Sequence, residues 1–183
     1  MKKTVIFCLF ALLAMCSLTT KADVIETSDN KLSIKVLPTK NIAKIPVEIS
    51  LTNPVEMTCV QCYIATPTGK NTFVTSVKDS TKVLWEKTER WDDNHITMFA
   101  WNESKHPNLL MAMVVNTSSL NFEGNAGPVL RLFINGSDLE DGDYCVKLQD
   151  GNMVWTDRKK VTTYLCPDVQ ANFKIKKHKL VLK

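Results

Sequence analysis

The chain is poor in histidine and lacks the common catalytic motifs. Its three histidines, His95, His106 and His178, are scattered among 183 residues, without the close companions a zinc site needs. There is no G-x-S-x-G elbow and no phosphate-cradling loop. No stretch has the periodicity of an amphipathic helix, and no repeat or low-complexity linker divides the chain. Beyond the N-terminal run, no apolar segment is long enough to cross a bilayer, which argues against stable membrane insertion. These absences exclude the common metal, nucleotide and serine-hydrolase readings. No cofactor and no metal is expected.

Residues 1–22 read as a secretory signal peptide rather than as part of a fold. Lys2 and Lys3 precede the apolar run Val5–Ser17, and Thr20-Lys21-Ala22 offers small residues at the positions a signal peptidase reads. Cleavage is expected after Ala22, giving a secreted, periplasmic or cell-surface product. Met15 stands before Cys16 where lipoprotein processing requires a small residue. The full chain has 23 basic and 19 acidic residues. The signal takes Lys2, Lys3 and Lys21 with it and leaves a net charge of +1, so the basic pI is no evidence for nucleic acid binding. The remaining 23–183 stretch suits one domain.

That domain is organised around Pro46–Pro67. Val47, Ile49 and Leu51 alternate with Glu48, Ser50 and Thr52. After Asn53-Pro54, the apolar residues Val60, Cys62 and Ile64 alternate with Gln61 and Tyr63. Period-two alternation bounded by turn residues marks half-buried strands. Lys31–Val36 follows the same pattern. His95–Trp101 and Leu109–Val115 are apolar on both faces, as in strands that are covered or that offer a face to a partner. Val129–Ile134, Tyr144–Leu148, Met153–Thr156, Thr162–Leu165 and Ala171–Ile175 complete the strand set, with Asp150-Gly151 read as a tight turn. An all-β antiparallel sandwich, a jelly roll of about nine strands, is the expected fold.

Three stretches carry a family resemblance: Ile49–Gly69 (ISLTNPVEMTCVQCYIATPTG), Phe122–Ile134 (FEGNAGPVLRLFI) and Tyr164–Lys176 (YLCPDVQANFKIK). Together they resemble secreted Bacteroidetes-type domains related to cohesins and to their carbohydrate-binding-module cousins. The resemblance implies a nine-stranded jelly roll with a non-catalytic recognition role, since cohesins bind dockerins and their cousins bind polysaccharides. It also implies that Thr58–Ala65, Leu109–Asn116, His95–Trp101 and Gly142–Gln149 share one sheet, whose outer face meets the partner. No dockerin-like calcium repeat and no catalytic domain accompanies the module.

On that face, Gln61 and Tyr63 are expected to point outward with Lys147 and Gln149 beside them. From Leu109–Asn116, either Leu110, Ala112 and Val114 or Met111, Met113 and Val115 must face out. Methionine-rich faces adapt to protein partners. Trp85, Trp91, Trp101 and Trp155 could stack on sugar rings, with Trp91 and Trp101 the leading candidates, Trp91 because its neighbours Arg90, Asp92 and Asp93 suggest exposure. The partner is therefore a polysaccharide or a secreted or cell-surface protein. The alternatives are a structural subunit of a surface assembly and a hydrolase on a sandwich scaffold.

Four cysteines remain after the signal: Cys59, Cys62, Cys145 and Cys166. Cys59-Val-Gln-Cys62 has redox spacing. However, within a strand the two Cα atoms lie about 10 Å apart, and a disulfide wants about 5.5–6 Å. Cys59, Cys145 and Cys166 are the disulfide candidates, with Cys59–Cys145 the expected bridge and Cys62 a core thiol. The acidic run Asp138–Asp143 lacks calcium-loop spacing and reads as a solvated turn. The basic tail Lys174–Lys183 reads as a solvated last strand.

Overall fold

The computed structural model describes residues 21–26, 29–76, 82–101, 108–118, 121–156 and 160–182. These form twelve strands and two short 3-10 turns. The first six strands are β1 (Lys21–Ile25), β2 (Lys31–Val36), β3 (Ile45–Thr52), β4 (Cys59–Ala65), β5 (Trp85–Glu86) and β6 (His95–Trp101). The last six are β7 (Leu109–Asn116), β8 (Ala126–Ile134), β9 (Gly142–Thr156), β10 (Lys160–Cys166), β11 (Val169–Lys176) and β12 (Lys179–Leu182). Sheet B runs β2-β3-β8-β5. Sheet A runs β10-β9-β4-β7-β6, with β11 continuing the β10 edge of β9 and with β1 and β12 outermost. All pairings are antiparallel except β1 with β10.

The alternation of residues fixes which face is buried. Leu32, Ile34 and Val36 on β2, and Ile45, Val47, Ile49 and Leu51 on β3, turn into the sandwich from sheet B. Val60, Cys62, Ile64, Leu110, Ala112, Val114, Val146, Leu148, Phe173 and Ile175 meet them from sheet A. Each fully buried Ile, Leu or Phe contributes about 1.5–3 kcal/mol, so this alternation, more than strand propensity, sets the register. The polar residues between them fall outside. On sheet B they form an ion-pair row: Arg131 meets Glu48 at 2.8 Å and Glu86 at 3.5 Å.

The β-sandwich expected from the pattern is present, with three local differences. β9 is one 15-residue strand, not two strands joined by a turn at Asp150-Gly151. Only Asp150 takes a positive φ, of 47°. The type I′ hairpin turn that Asp-Gly favours needs positive φ at both central residues, whereas two residues opposing one make a bulge. Asp150 and Gly151 together oppose Cys62, and pairing resumes at Asn152 with Gln61. Second, β1 extends the sheet from Lys21, inside the stretch read as signal. Third, the basic tail is a hairpin: β11 returns as β12 through Lys177 and His178, both at positive φ.

Candidate functional site

Sheet A brings β9, β4, β7 and β6 side by side, so the four segments expected to share a sheet do so. Because successive side chains alternate, the register reads out the outer face in rows. Val154, Cys59, Val115 and Ile96 form one row; Asn152, Gln61, Met113 and Met98 form the next. Gln149, Tyr63, Met111 and Ala100 follow, then Lys147, Ala65 and Leu109. The inward alternatives Leu110, Ala112 and Val114 are in the core. Met111, Met113 and Val115 are therefore the outward set, beside Gln61, Tyr63, Lys147 and Gln149.

This face is graded. Lys147, Gln149 and Asn152 on β9 make one side polar, while β7 and β6 are apolar. Cys59, Met113 and Val115 form a buried cluster of their own, with Met98 and Val154 packed against it. Ile96 is 45% exposed, and Leu165, on the same side of β10, is 42% exposed. Ile96 and Met98 were not singled out from sequence. HITMFAW is apolar at every position except His95 and Thr97, so its own pattern does not say which residues face out. Only pairing with β7 decides it.

The two tryptophans do not reach this face. Trp91 is only 8% exposed, packs against Trp85 at 5.2 Å, and donates its Nε1–H to the Val129 carbonyl at 2.5 Å. Its polar neighbours had suggested exposure, but Arg90 is itself buried. Trp101 sits on the edge strand β6 yet pairs with the inward Leu110 and packs edge-to-face on Phe73 at 5.6 Å. Both serve the core, which a large apolar ring stabilises more than it does a solvent-facing position.

Arg90 is the polar organiser that sequence gave no sign of. Its five N–H donors all reach acceptors: the carbonyls of Glu123 (2.5 Å), Leu51 (2.8 Å), Gly124 (2.7 Å) and Gly127 (3.4 Å), and Asn53 Oδ1 (2.7 Å). Burial lowers its pKa, against a smaller opposing effect of Glu89. The planar fork suits this task because its donors diverge in fixed directions. Nearby, His95 Nδ1 lies 2.9 Å from Asp92 Oδ1, and Asn116 donates to both Asp92 oxygens at 3.1 and 3.0 Å. Partial burial pushes the Asp92 carboxyl up, but hydrogen bonds from the Asn94 amide, Asn116 and His95 outweigh it and hold it below the usual range. His95 is buried against Phe122 and Trp91, so this Asp–His pair ties β6 to the end of β7. Asn116 is buried there as well.

The four described cysteines are thiols in this structure. Cys59 lies opposite Val154 and Val115, whereas Cys145 lies opposite Asn172 on β11, near the other end of β9. The expected Cys59–Cys145 bridge therefore does not form. Cys166 lies opposite Gly151 on the inner side, the side of Cys62, and it too is a free thiol. Cys59 and Cys62 point to opposite faces of β4, and desolvation pushes both thiols up to about 12. That is the reverse of a reactive thiol. Among the described residues no cluster of three metal-ligating side chains occurs, and no helix is long and apolar enough to cross a membrane.

No family model and no curated protein matches this sequence. Solved structures do. The fold is similar to the cohesin of a type I cohesin–dockerin complex from Clostridium thermocellum (TM-score 0.52, 10% identity, covering 81% of this chain and 97% of that one). It is similar to the seventh ScaB type I cohesin of Pseudobacteroides cellulosolvens (0.51, 12%, covering 76% and 90%). It also matches the sixth cohesin of Acetivibrio cellulolyticus scaffoldin B, solved with a Cel5 dockerin (0.52, 9%, covering 78% and 97%). At such low identities the likeness speaks for architecture alone: the chain has a cohesin-like β-sandwich fold.

Proposed function

We propose that this chain is a secreted, non-catalytic recognition module that binds a protein partner through the outer face of sheet A. The observation that carries this reading is the contrast between the two outer faces. Sheet B presents the Glu48–Arg131–Glu86 ion-pair row to solvent, as a solvated face should. Sheet A presents Ile96, Met98, Met111 and Tyr63 around the Cys59–Met113–Val115 cluster, with a polar rim on β9. An apolar centre with a polar rim is the anatomy of an interface, and methionine side chains repack around a partner. The face uses the same four strands that the cohesin resemblance assigns to partner contact. Secretion is supported by the basic-then-apolar N-terminus, with Asp23–Ile25 left after cleavage to pair with β10.

Capture from the organism's secreted fraction tests this reading, with Tyr63→Ala and Met111→Asp as face variants and Ser33→Tyr on sheet B as control. Loss of capture in the first two alone is expected. Capture that survives both would refute the placement of the face. The alternative reading, a structural subunit, draws on the exposed Val24, Val181 and Leu182 along the outermost strands β1 and β12. Concentration-dependent self-association in sedimentation, with no other partner, would favour it.

A further inference from the structure

An open cleft lies on the opposite face of sheet A, at one end of the sandwich. β3 stops at Thr52 and β8 begins opposite it at Ala126, but β9 and β10 run on past the end of sheet B. Met153 is in the core; Trp155 follows it on the same face, paired with Thr162, while Tyr164 pairs with Met153. The inner face of sheet A therefore continues beyond its covering sheet. Trp155, Thr162 and Tyr164, with Ile25 of β1, form one wall of an open cleft of about 620 Å³. The loops Asn53–Glu56 and Asn121–Asn125 form the other wall. Arg90 grips both loops, through Asn53 on one and the Glu123 and Gly124 carbonyls on the other, so the cleft is held in shape before any ligand arrives.

Its volume falls in the range of small-ligand sites, and its lining selects the chemistry. Trp155 and Tyr164 are partly exposed and offer aromatic surface. The side chains of Asn121, Asn125 and Glu56, the Tyr164 hydroxyl and the Trp155 indole N–H make no hydrogen bond to another described residue. Amides both donate and accept, and a carboxylate accepts. An apolar ligand would strip these groups of water without replacing it. Among the described residues, a phosphate-bearing ligand would meet Glu56 and only one lysine, Lys160, already paired with Asp23 at 2.7 Å. A pyranose matches the lining: its C–H face suits the aromatic rings, and its hydroxyls serve as donors and acceptors together.

We propose that this cleft binds a neutral saccharide chain, independently of the sheet A outer face. Affinity electrophoresis through gels containing xyloglucan, galactomannan, mixed-linkage β-glucan or starch tests it. At least one polysaccharide is expected to retard the protein. Its dissociation constant should rise about tenfold or more in Trp155→Ala and in the surface pair Asn121→Ala/Asn125→Ala, and stay unchanged in Met111→Asp. The double variant touches no core side chain, so a folding defect in Trp155→Ala cannot decide the result. Absence of retardation in all four gels, or equal retardation of wild type and double variant, would overturn the proposal. So would loss of protein capture in the double variant with glycan retardation intact, which would assign the cleft to a peptide.

Discussion

Arg90 is the side chain on which both loops of the cleft depend. Replacing it with Met keeps much of the stem and removes every donor, leaving the Leu51, Glu123 and Gly124 carbonyls and Asn53 Oδ1 without the partners they now have. A destabilisation of about 3–5 kcal/mol is expected from urea unfolding. Arg90→Lys should recover only part of it, since an ammonium cannot diverge to five acceptors. Full stability in either variant would show that water serves these carbonyls as well as the guanidinium does. The thiols give a second test at this scale. Cys59 and Cys62 are buried with thiols pushed up to about 12, and Cys166 to about 11, chiefly by desolvation. Cys145 is half-buried. Brief alkylation of the native protein at pH 7.5 should therefore modify Cys145 first and the other three only after unfolding. A mass gain of two hydrogens on reduction would instead reveal a disulfide. Neither the role of Arg90 nor the placement of the thiols was legible in the sequence. A lone arginine between Glu89 and Trp91 looks like a surface residue, and cysteine parity says nothing about which strand position faces which.

Among the elements, β9 decides the most. Its first half pairs with β11 and its second with β10, and β4 lies along its other edge. The bulge at Asp150-Gly151 shifts the alternation by one residue, from Val146 and Leu148 facing the core to Met153 and Trp155, so that one strand serves both partners. Gly151 is the inward member, and a Cβ there would meet Leu32 Cδ1 at 3.1 Å, Cys166 Cβ at 3.2 Å and Leu148 Cδ2 at 3.3 Å. Gly151→Val should cost about 1–3 kcal/mol through overpacking, read as a lower urea midpoint. An unchanged midpoint would mean that the two sheets can part there. Strand patterns were readable where one face is polar, as in β2, β3 and β4. They were not where both faces are apolar, as in β6 and β7, because alternation carries no information when every residue is hydrophobic. Asp-Gly likewise signals both a turn and a bulge, and pairing partners far along the chain choose between them.

At the scale of the whole molecule, two sheets with unlike outer faces define the account: a charged, solvated sheet B and an apolar, methionine-bearing sheet A. The sandwich and its four-strand face follow from alternation together with the cohesin resemblance. The inward turn of Trp91 and Trp101 does not, since it depends on loops whose path no local pattern fixes. The most direct measurement is hydroxyl-radical footprinting of the protein alone and in complex with a captured partner. Tyr63, Met98 and Met111 are expected to lose oxidation several-fold in the complex, while Met57 in the core and the half-buried Pro46 on sheet B stay as they were. Unchanged oxidation at those three positions, with protection on sheet B instead, would contradict binding through the outer face of sheet A.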